Sequence, residues 1–357
     1  MDRTAKATAQ SKLQAYGGGM KTIELYPDFG ISNLKISERV KLTPAPGEVL
    51  VKIEAVSLNY VDLLVVKGIL NPKLSLPYIP VCDGAGIVES VGENVTQFKP
   101  GDKVATTFIP NWLSGKPTSQ TTDYSTRQGL GGLSGQLTEY KTFHVNQLVK
   151  SPANLSSMEA STLPIAGLTA WNALLYSNLQ PDHSLLLHGT GGVSIFALQF
   201  AKALGAKVII TSSSDEKLKR ALQLGADLTI NYQTTPHWAS LVRDFTEGEG
   251  ADVILETVGG RNLQRSLDAL RMGGYISIVG LLDGFDSNIN TLTLLHKQAT
   301  IRGMEVGGTD DFQAMNRAIE THDIHPVIDK IFSFESTQEA FEYLEKGLHF
   351  GKVVINL

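Results

Sequence analysis

The stretch LLLHGTGGVSI (residues 185–195) decides the fold of the second half of this chain. An apolar run is followed by a glycine-rich turn and then by a helical pattern, the order of a buried strand, a tight turn and a helix N-terminus. Gly189 permits the turn, and Gly191 lets the backbone approach a pyrophosphate that rests on the helix amides. The third glycine of the usual fingerprint is replaced by Ser194. A glycine-rich turn without a ligand is the alternative, but we predict dinucleotide binding at Gly189, Thr190, Gly191, Gly192 and Val193.

Around this stretch, short apolar runs alternate with helical patterns from Ser156 to about residue 304. The runs are rich in Leu, Ile and Val on both faces, as strands buried between two layers of helices must be. Strand, helix and strand in this alternation predict a parallel, doubly wound sheet. We therefore expect a Rossmann cofactor domain over residues 161–304. Ser156 and Glu159 have the spacing of a capping box at the start of the preceding helix.

The rest of the chain has the pattern of a second, β-rich domain. Residues 48–57 alternate apolar and polar side chains, the period of a half-buried strand, and residues 86–92, 102–108 and 137–145 repeat that signal. The β-prone segments near the C-terminus most simply rejoin this first domain. We thus predict an α/β protein with one domain over residues 1–160 and 305–357, of which residues 1–19 are a flexible tail.

Composition excludes several classes of function. The chain has 357 residues, 42% of them hydrophobic, a net charge of −5 and one cysteine, Cys82. The negative charge argues against nucleic acid or an anionic membrane as a partner. A single cysteine cannot form an internal disulfide or a cysteine-rich zinc module. With no long apolar run and no apolar leader in residues 1–16, we expect a soluble, cytoplasmic protein.

The end of the second predicted strand indicates which dinucleotide binds. NAD sites carry an acidic residue there for the ribose 2′-OH, about 20 residues after the first glycine. Here the strand ends in Ser212-Ser213-Ser214, and the first carboxylate, Asp215, belongs to the next helix. Hydroxyl groups and a lysine suit a 2′-phosphate better than a carboxylate would. We therefore favour NADP(H), with the candidate contacts Ser213, Ser214, Lys217 and Tyr232; helix capping and a solvated lysine are the alternatives.

Together with this loop, several other segments make the chain resemble a medium-chain dehydrogenase/reductase of the zinc-independent quinone oxidoreductase branch. The segments are GEVLVKIEAVSLNYVDLLVVKG (47–68), DGAGIVESVGENV (83–95), FKPGDKV (98–104), AGLTAWNAL (166–174) and HFGKVVI (349–355). The resemblance implies a GroES-like β-rich catalytic domain built from both chain ends and a Rossmann cofactor domain. It also implies a cleft between them, and commonly a homodimer.

The resemblance also shows which residues stand at the metal-ligand positions of zinc-dependent relatives. The first cysteine position is Asn59, the Gly-His-Glu triplet reads Val81-Cys82-Asp83, and the second cysteine position is Ile165. A catalytic zinc needs about three His, Cys or carboxylate ligands. Cys82 and Asp83 alone do not supply that set, so we predict that the chain has no metal site.

Without a metal to acidify an alcohol, reduction of an electron-poor acceptor is the simpler chemistry. Hydride from NADPH can attack a quinone or an enone if the acceptor's oxygen receives a hydrogen bond as charge develops. Asn59 is the candidate donor of that bond, and Tyr60 could donate or relay a proton. Asp62 is expected to order the turn. The alternative is that Asn59 and Tyr60 only pack and satisfy a loop.

The family pattern implies further cofactor contacts. Thr169 is expected near the nicotinamide and ribose, and Gly259 is expected where a side chain would block the cofactor. A backbone segment after the fifth strand would face the carboxamide, and a C-terminal segment would return to the cofactor with a lysine that could meet a phosphate. These two segments are Val279, Gly280, Leu281 and Phe350, Gly351, Lys352.

Three functions remain open from the sequence. The first is a metal-free, NADPH-dependent reductase of quinones, enones or other reactive carbonyls, acting on a small electrophilic substrate. The second is an enoyl reductase or a metal-free alcohol dehydrogenase of a specific pathway, and the third is a non-catalytic NADPH-binding protein. His188 is interpreted as a strand-end residue and Cys82 as a buried small residue, with a reactive thiol as the alternative.

Overall fold

The computed structural model describes residues 18–357, which divide into two compact units. The first unit contains the described residues up to Ile165 together with Gly307–Leu357, and the second contains Ala166–Val306. These boundaries lie within a few residues of those predicted at 160 and 304. Residues 1–17 of the predicted tail lie outside the described part of the chain, whereas Gly19 already begins the first strand.

The first unit is built on a seven-stranded sheet, most of it antiparallel. Its strand order is β14-β15-β3-β4-β5-β7, and β6 pairs with the long strand β3. A separate hairpin pairs β1 with β2. The strands are β1 (Gly19–Leu25), β2 (Leu34–Val40), β3 (Glu48–Leu58), β4 (Asp83–Val91), β5 (Lys103–Thr106), β6 (Tyr140–His144), β7 (Leu148–Lys150), β14 (Ile328–Ser333) and β15 (Lys352–Asn356).

The described residues of the first unit form four α-helices: α1 (Tyr60–Val66), α2 (Ser157–Ala160), α9 (Thr309–His322) and α10 (Thr337–Glu345). The C-terminal strands rejoin the first domain as predicted, because β15 pairs antiparallel with β3 and aligns Val353 with Leu58. The predicted capping box at Ser156 is also confirmed: the Ser156 N–H donates to Glu159 Oε2 over 2.9 Å at the start of α2.

The second unit contains the parallel sheet that the sequence predicts. Its order is β10-β9-β8-β11-β12-β13, and every neighbouring pair is parallel. The strands are β8 (Ser184–His188), β9 (Lys207–Ser212), β10 (Leu228–Asn231), β11 (Ala251–Glu256), β12 (Leu270–Ile278) and β13 (Thr300–Gly303). The helices are α3 (Leu168–Tyr176), α4 (Gly192–Leu204), α5 (Asp215–Gln223), α6 (Trp238–Phe245), α7 (Asn262–Ala269) and α8 (Thr291–Lys297).

Each unit has its own apolar core. In the first unit, Val51, Ile53 and Val353 of the central strands pack with Phe143 and Phe341. In the second, the strand residues Leu186, Ile209 and Ile254 pack against Trp238 and Leu267 of the helices. Burial of strand residues on both faces explains why these strands lack an alternating pattern in the sequence. Among the described residues, no helix combines the length and the hydropathy needed to cross a bilayer.

Candidate functional site

The glycine-rich turn predicted to bind the nucleotide lies between β8 and α4 in the second unit. Gly189 has a φ of +70°, a conformation that favours glycine. Gly191 is the N-cap of α4 with extended backbone, and a Cβ placed on it would meet no protein atom within 4 Å. The protein's own packing therefore does not require glycine at 191. Open space beside the amides of a helix N-terminus suits a pyrophosphate, so Gly189, Thr190, Gly191, Gly192 and Val193 fit the predicted group.

The serine at the third fingerprint position is accommodated by hydrogen bonding. Ser194 is buried, and its Oγ donates to the carbonyl oxygen of His188 over 2.8 Å. Thr257 Oγ1 donates to the same carbonyl, also over 2.8 Å. Ser194 and Thr257, which directly follows β11, thus both hydrogen-bond the residue that precedes the glycine-rich turn.

The residues predicted to choose between NADP and NAD gather at the carboxyl ends of β9 and β10. The parallel register aligns Ser212 with Asn231, the last residues of β9 and β10, so Ser213 and Tyr232 each directly follow a strand end. Ser214 Oγ accepts the Lys217 N–H over 3.3 Å and caps α5, so this hydroxyl has the capping role that the sequence left open. Asp215 is turned toward Asn231, whose Nδ2 donates to its Oδ1 over 2.7 Å. Contact of these side chains with a nucleotide stays a prediction.

The structure gives a different reason for glycine at 259 from the one inferred from the sequence. Gly259 has a φ of +67°, and a Cβ there would lie 3.1 Å from the Gly280 carbonyl oxygen. A Cβ on Gly280 would lie 2.2 Å from the Thr257 carbonyl oxygen. The close approach of the two loops requires these glycines, whether or not a cofactor is bound. The N–H groups of Val279 and Gly280 donate to the Glu256 carbonyl, so only their carbonyl oxygens remain for a carboxamide.

A buried acidic residue that the sequence analysis missed holds this region together. The Glu256 carboxylate accepts hydrogen bonds from the N–H groups of Val258 and Gly259, over 2.8 and 3.0 Å, and from Ser266 Oγ over 2.5 Å. Ser266 Oγ also lies 2.8 Å from Nε2 of His188, whose pKa is lowered by burial. His188 is thus a neutral strand-end residue, as interpreted. An acidic residue at a strand end followed by Thr-Val-Gly-Gly was the available signal.

The two remaining residues of the second unit that were predicted to contact the cofactor lie on different elements. Thr169 is buried in α3, and Leu281 is half exposed after β12. Their contact with a cofactor stays a prediction.

In the first unit, Asn59 lies at the junction of β3 and α1. Its main-chain N–H donates to Asp62 Oδ2 over 2.7 Å, and Asp62 Oδ1 accepts the Cys82 N–H over 2.8 Å. Asp62 therefore orders the turn, as expected. The Asn59 side chain is buried with 9% of its surface exposed, whereas Tyr60 is 49% exposed.

The three positions that carry metal ligands in zinc-dependent relatives meet around one carboxylate. Asp83 Oδ2 accepts Nδ2–H of Asn59 over 2.9 Å and the Ile165 N–H over 3.2 Å. Lys352 Nζ donates to Asn59 Oδ1 over 2.6 Å. We call Asn59, Asp83, Ile165 and Lys352 the Asn59 cluster.

The Asn59 cluster does not fit a zinc ion. Among residues 18–357, no group of three or more His, Cys, Asp and Glu side chains could hold a metal. Burial raises the pKa of the Cys82 thiol, which keeps it protonated and a poor ligand. A metal ion bound by these side chains would also lie close to the ammonium of Lys352, and the two cations would repel each other.

Burial disfavours the ionised form of Asp83 in the Asn59 cluster. Burial raises its pKa to about 7, although the Lys352 ammonium and the Asn59 hydrogen bond favour the charged form. Within the described part of the chain, its Oδ1 is buried without a hydrogen-bond partner. Unpaired buried oxygens of this kind disfavour ionisation.

The predicted role of Lys352 in binding a phosphate needs correction, whereas contact of Phe350 and Gly351 with a cofactor stays a prediction. Lys352 is 3% exposed, and its ammonium donates to the Leu58 carbonyl over 2.7 Å as well as to Asn59. It therefore cannot serve as the phosphate-binding lysine that we expected. Phe350 is buried, and Gly351 has a φ of +80° with its Cβ position 2.4 Å from the Val327 carbonyl oxygen, which is a structural reason for glycine.

With both regions described, comparison with known proteins places the chain in a family. The family described as alcohol dehydrogenase GroES-like domain matches residues 45–153, and the one described as zinc-binding dehydrogenase matches residues 192–321. A zinc-type alcohol dehydrogenase-like protein of Schizosaccharomyces pombe is 46% identical over 87% of this chain and 91% of its own length. The chain belongs to the medium-chain dehydrogenase/reductase superfamily.

Two further similarities extend this assignment. A quinone oxidoreductase of Pongo abelii is 29% identical, over 92% of this chain and 94% of its own. The crystal structure of a putative alcohol dehydrogenase from Sinorhizobium meliloti 1021 is 40% identical, with a TM-score of 0.89 over 95% of this chain and 99% of that chain. The first unit is therefore the GroES-like domain and the second the Rossmann-like domain of an oxidoreductase. A pyridine nucleotide is the cofactor expected of this family.

Proposed function

We propose that this member of the superfamily is a zinc-independent, NADPH-dependent reductase of quinones, enones or related reactive carbonyls. The observation that carries the proposal is the Asn59 cluster, in which Asn59, Asp83 and Ile165 stand at the ligand positions of a metal and the Lys352 ammonium donates to the Asn59 amide. Without a Lewis acid, an alcohol is hard to deprotonate, but an electron-poor carbonyl accepts hydride more readily. A small electrophilic acceptor is therefore the substrate class that suits these residues.

Each unit contributes a separate part of the reaction. When bound, NADPH supplies the hydride. The helix N-terminus at Gly191 binds the pyrophosphate, and the hydroxyl of Ser213 suits a 2′-phosphate because no carboxylate stands there. In the first unit, Asn59 Nδ2 has two hydrogens, of which one is donated to Asp83. The other donates to the acceptor's oxygen as negative charge develops on it. The exposed phenol of Tyr60 is placed to exchange a proton with water.

The proposal is tested by following NADPH oxidation with a panel of quinones, enones and aldehydes. We expect turnover with quinones or enones, weaker turnover with NADH, and loss of about 100-fold in kcat for Asn59→Ala, the size typical of an oxyanion donor. Tyr60→Phe distinguishes proton relay from simple packing. If NADPH binds but no acceptor is reduced, the protein is a binding protein and the proposal is wrong.

We also propose a homodimer in the cytoplasm. The short helix α8 exposes Leu292 and Leu295 to 61% and 70%, and β13 is an end strand of its sheet, so a second copy would cover apolar surface and a strand edge. Light scattering should give twice the mass of the chain and a shift to monomer for Leu295→Asp; a monomeric wild type would contradict the dimer.

A chain with one cysteine needs no oxidising compartment, and cell fractionation tests its location.

A further inference from the structure

The orientation of the Asn59 amide is fixed by its two neighbours. Lys352 Nζ lies 2.6 Å from Oδ1, and Asp83 Oδ2 lies 2.9 Å from Nδ2. A lysine ammonium can only donate hydrogen bonds and a carboxylate can only accept them. Turning the amide over would point its NH₂ group at the Lys352 ammonium and, while Asp83 is ionised, its oxygen at a carboxylate, so attractive contacts would become repulsive. The side chain is held with its oxygen toward the cation and its N–H groups on the opposite side.

The backbone fixes the position of the ammonium. Lys352 is the first residue of β15, and the antiparallel register aligns the next residue, Val353, with Leu58 at the end of β3. Lys352 Nζ donates to the Leu58 carbonyl over 2.7 Å, next to Asn59 in the chain. A buried ammonium is costly unless it is hydrogen-bonded and compensated. Burial lowers the pKa of Lys352, while the charges of Asp83 and Asp62 oppose that shift.

We propose that Lys352 is a positioning residue of the reductase, acting through Asn59 to present and strengthen the amide N–H that binds the acceptor's oxygen. A cation at Oδ1 draws electron density away from Nδ2, and hydrogen bonds to charged groups polarise the next bond in a chain. One N–H is donated to Asp83. Among the described residues, the other N–H of Nδ2 has no hydrogen bond, which leaves it for a substrate. This inference rests on the proposed function.

The kinetic test compares Lys352→Met with Lys352→Arg in the full-length protein. With 9,10-phenanthrenequinone as acceptor, we expect Lys352→Met to lower kcat about tenfold, while the Kd of NADPH stays within about twofold. Arginine should restore part of kcat because it keeps the charge. Lys330→Met, on the neighbouring strand β14, is the matched control and should behave as wild type. Unchanged kcat, or a raised NADPH Kd with unchanged kcat, would overturn the proposal; the second result would return Lys352 to phosphate binding.

A double-mutant cycle separates positioning from general destabilisation. If Lys352 acts through Asn59, the Asn59→Ala, Lys352→Met double variant should be no slower than Asn59→Ala alone. Losses that multiply would contradict the proposal. If Lys352→Met does not fold, a double variant that combines Asp83→Asn with Lys352→Met is used in its place. This double variant removes the buried carboxylate together with the buried ammonium, and Asp83→Asn alone is its reference.

An NMR measurement that needs no turnover tests the contact between Lys352 and Asn59 separately from the reductase function. In protein labelled with ¹⁵N-asparagine, the side-chain NH₂ signal that Asn59→Ala removes is that of Asn59. Lys352→Met should move this signal upfield in ¹⁵N, and Lys352→Arg should move it less, because the cation at Oδ1 is lost or kept. An unmoved signal contradicts the proposal. If the signal moves but wild type reduces no acceptor, the contact is upheld and the reductase function fails.

Discussion

The glycine-rich turn of the second unit and the Asn59 cluster of the first unit handle charge in opposite ways. The turn offers backbone amides, and a Cβ at Gly191 would find no protein atom within 4 Å. The cluster buries an ammonium and a carboxylate and joins them through one amide. The amides of the turn are therefore left to bind an anionic ligand, whereas the cluster already contains a cation, the Lys352 ammonium. In this chain, the positions that bind metal in zinc-dependent relatives are joined to one another by hydrogen bonds.

The largest effect is expected at the turn. Gly191→Val should raise the Kd of NADPH about 100-fold, or about 2.7 kcal/mol, because the side chain enters the space that a pyrophosphate needs. The thermal midpoint should fall only slightly, because the new Cβ meets no protein atom within 4 Å, although valine is a poorer N-cap than glycine. Gly303→Val adds the same side chain at another open position of the second unit and is the control. Wild-type affinity in Gly191→Val would show that the nucleotide does not bind there.

The next effect concerns charge in the cluster. Because the pKa of Asp83 is raised to about 7, the folded state binds this proton more tightly than the unfolded chain does. The resulting stabilisation is complete below the unfolded-state pKa near 4 and is lost as the pH rises through about 7. Between about pH 5 and about pH 8, wild type should lose on the order of 2 kcal/mol more unfolding free energy than Asp83→Asn.

Urea unfolding at the two pH values measures this difference. The exposed Asp286→Asn variant is the control and should follow wild type. Equal pH dependence of wild type and Asp83→Asn would mean that Asp83 keeps one protonation state between these pH values, which would contradict the raised pKa of its carboxyl.

A smaller effect sharpens the choice of nucleotide. Ser213→Asp should shift the ratio of the NADH and NADPH Kd values about tenfold toward NADH, because a carboxylate repels a 2′-phosphate and binds a ribose 2′-OH. Ser213→Asn, of similar size but uncharged, should change the ratio much less. An unchanged ratio in Ser213→Asp would place the 2′ position elsewhere.

The smallest effect distinguishes two roles of the Ser214 hydroxyl, capping of helix α5 and binding of the nucleotide. Ser214→Ala should cost about 1 kcal/mol of unfolding free energy, because its Oγ accepts the Lys217 N–H at the start of α5. Ser214→Thr keeps the hydroxyl and most of the stability. If Ser214→Ala keeps its stability but loses NADPH affinity, the hydroxyl serves the nucleotide instead.

The two regions also differ in how far the sequence predicts them. The turn could be predicted residue by residue because its groups are consecutive and mostly backbone. The parallel sheet followed from the same alternation of strands and helices. The return of the C-terminal strands was predicted as well, but the hairpin of β1 and β2 was not. Contact of Ser213, Lys217, Tyr232 and Thr169 with a nucleotide stays a prediction.

The Asn59 cluster could be predicted only in part. Its metal positions were located by resemblance, yet Lys352 was assigned to a phosphate. Lys352 and Asn59 are 293 residues apart, and only the register of β15 on β3 brings them together. No local pattern encodes that register. For the same reason, the sequence could not show that Gly259 is required by the neighbouring Gly280 backbone.

Zinc independence is tested most directly by the metal content of freshly purified, active protein, measured by mass spectrometry of the elements before and after dialysis against a chelator. We expect far less than one zinc per chain and the same rate of NADPH-dependent quinone reduction in both samples. One zinc per chain, with activity lost on its removal and restored by its return, would contradict it.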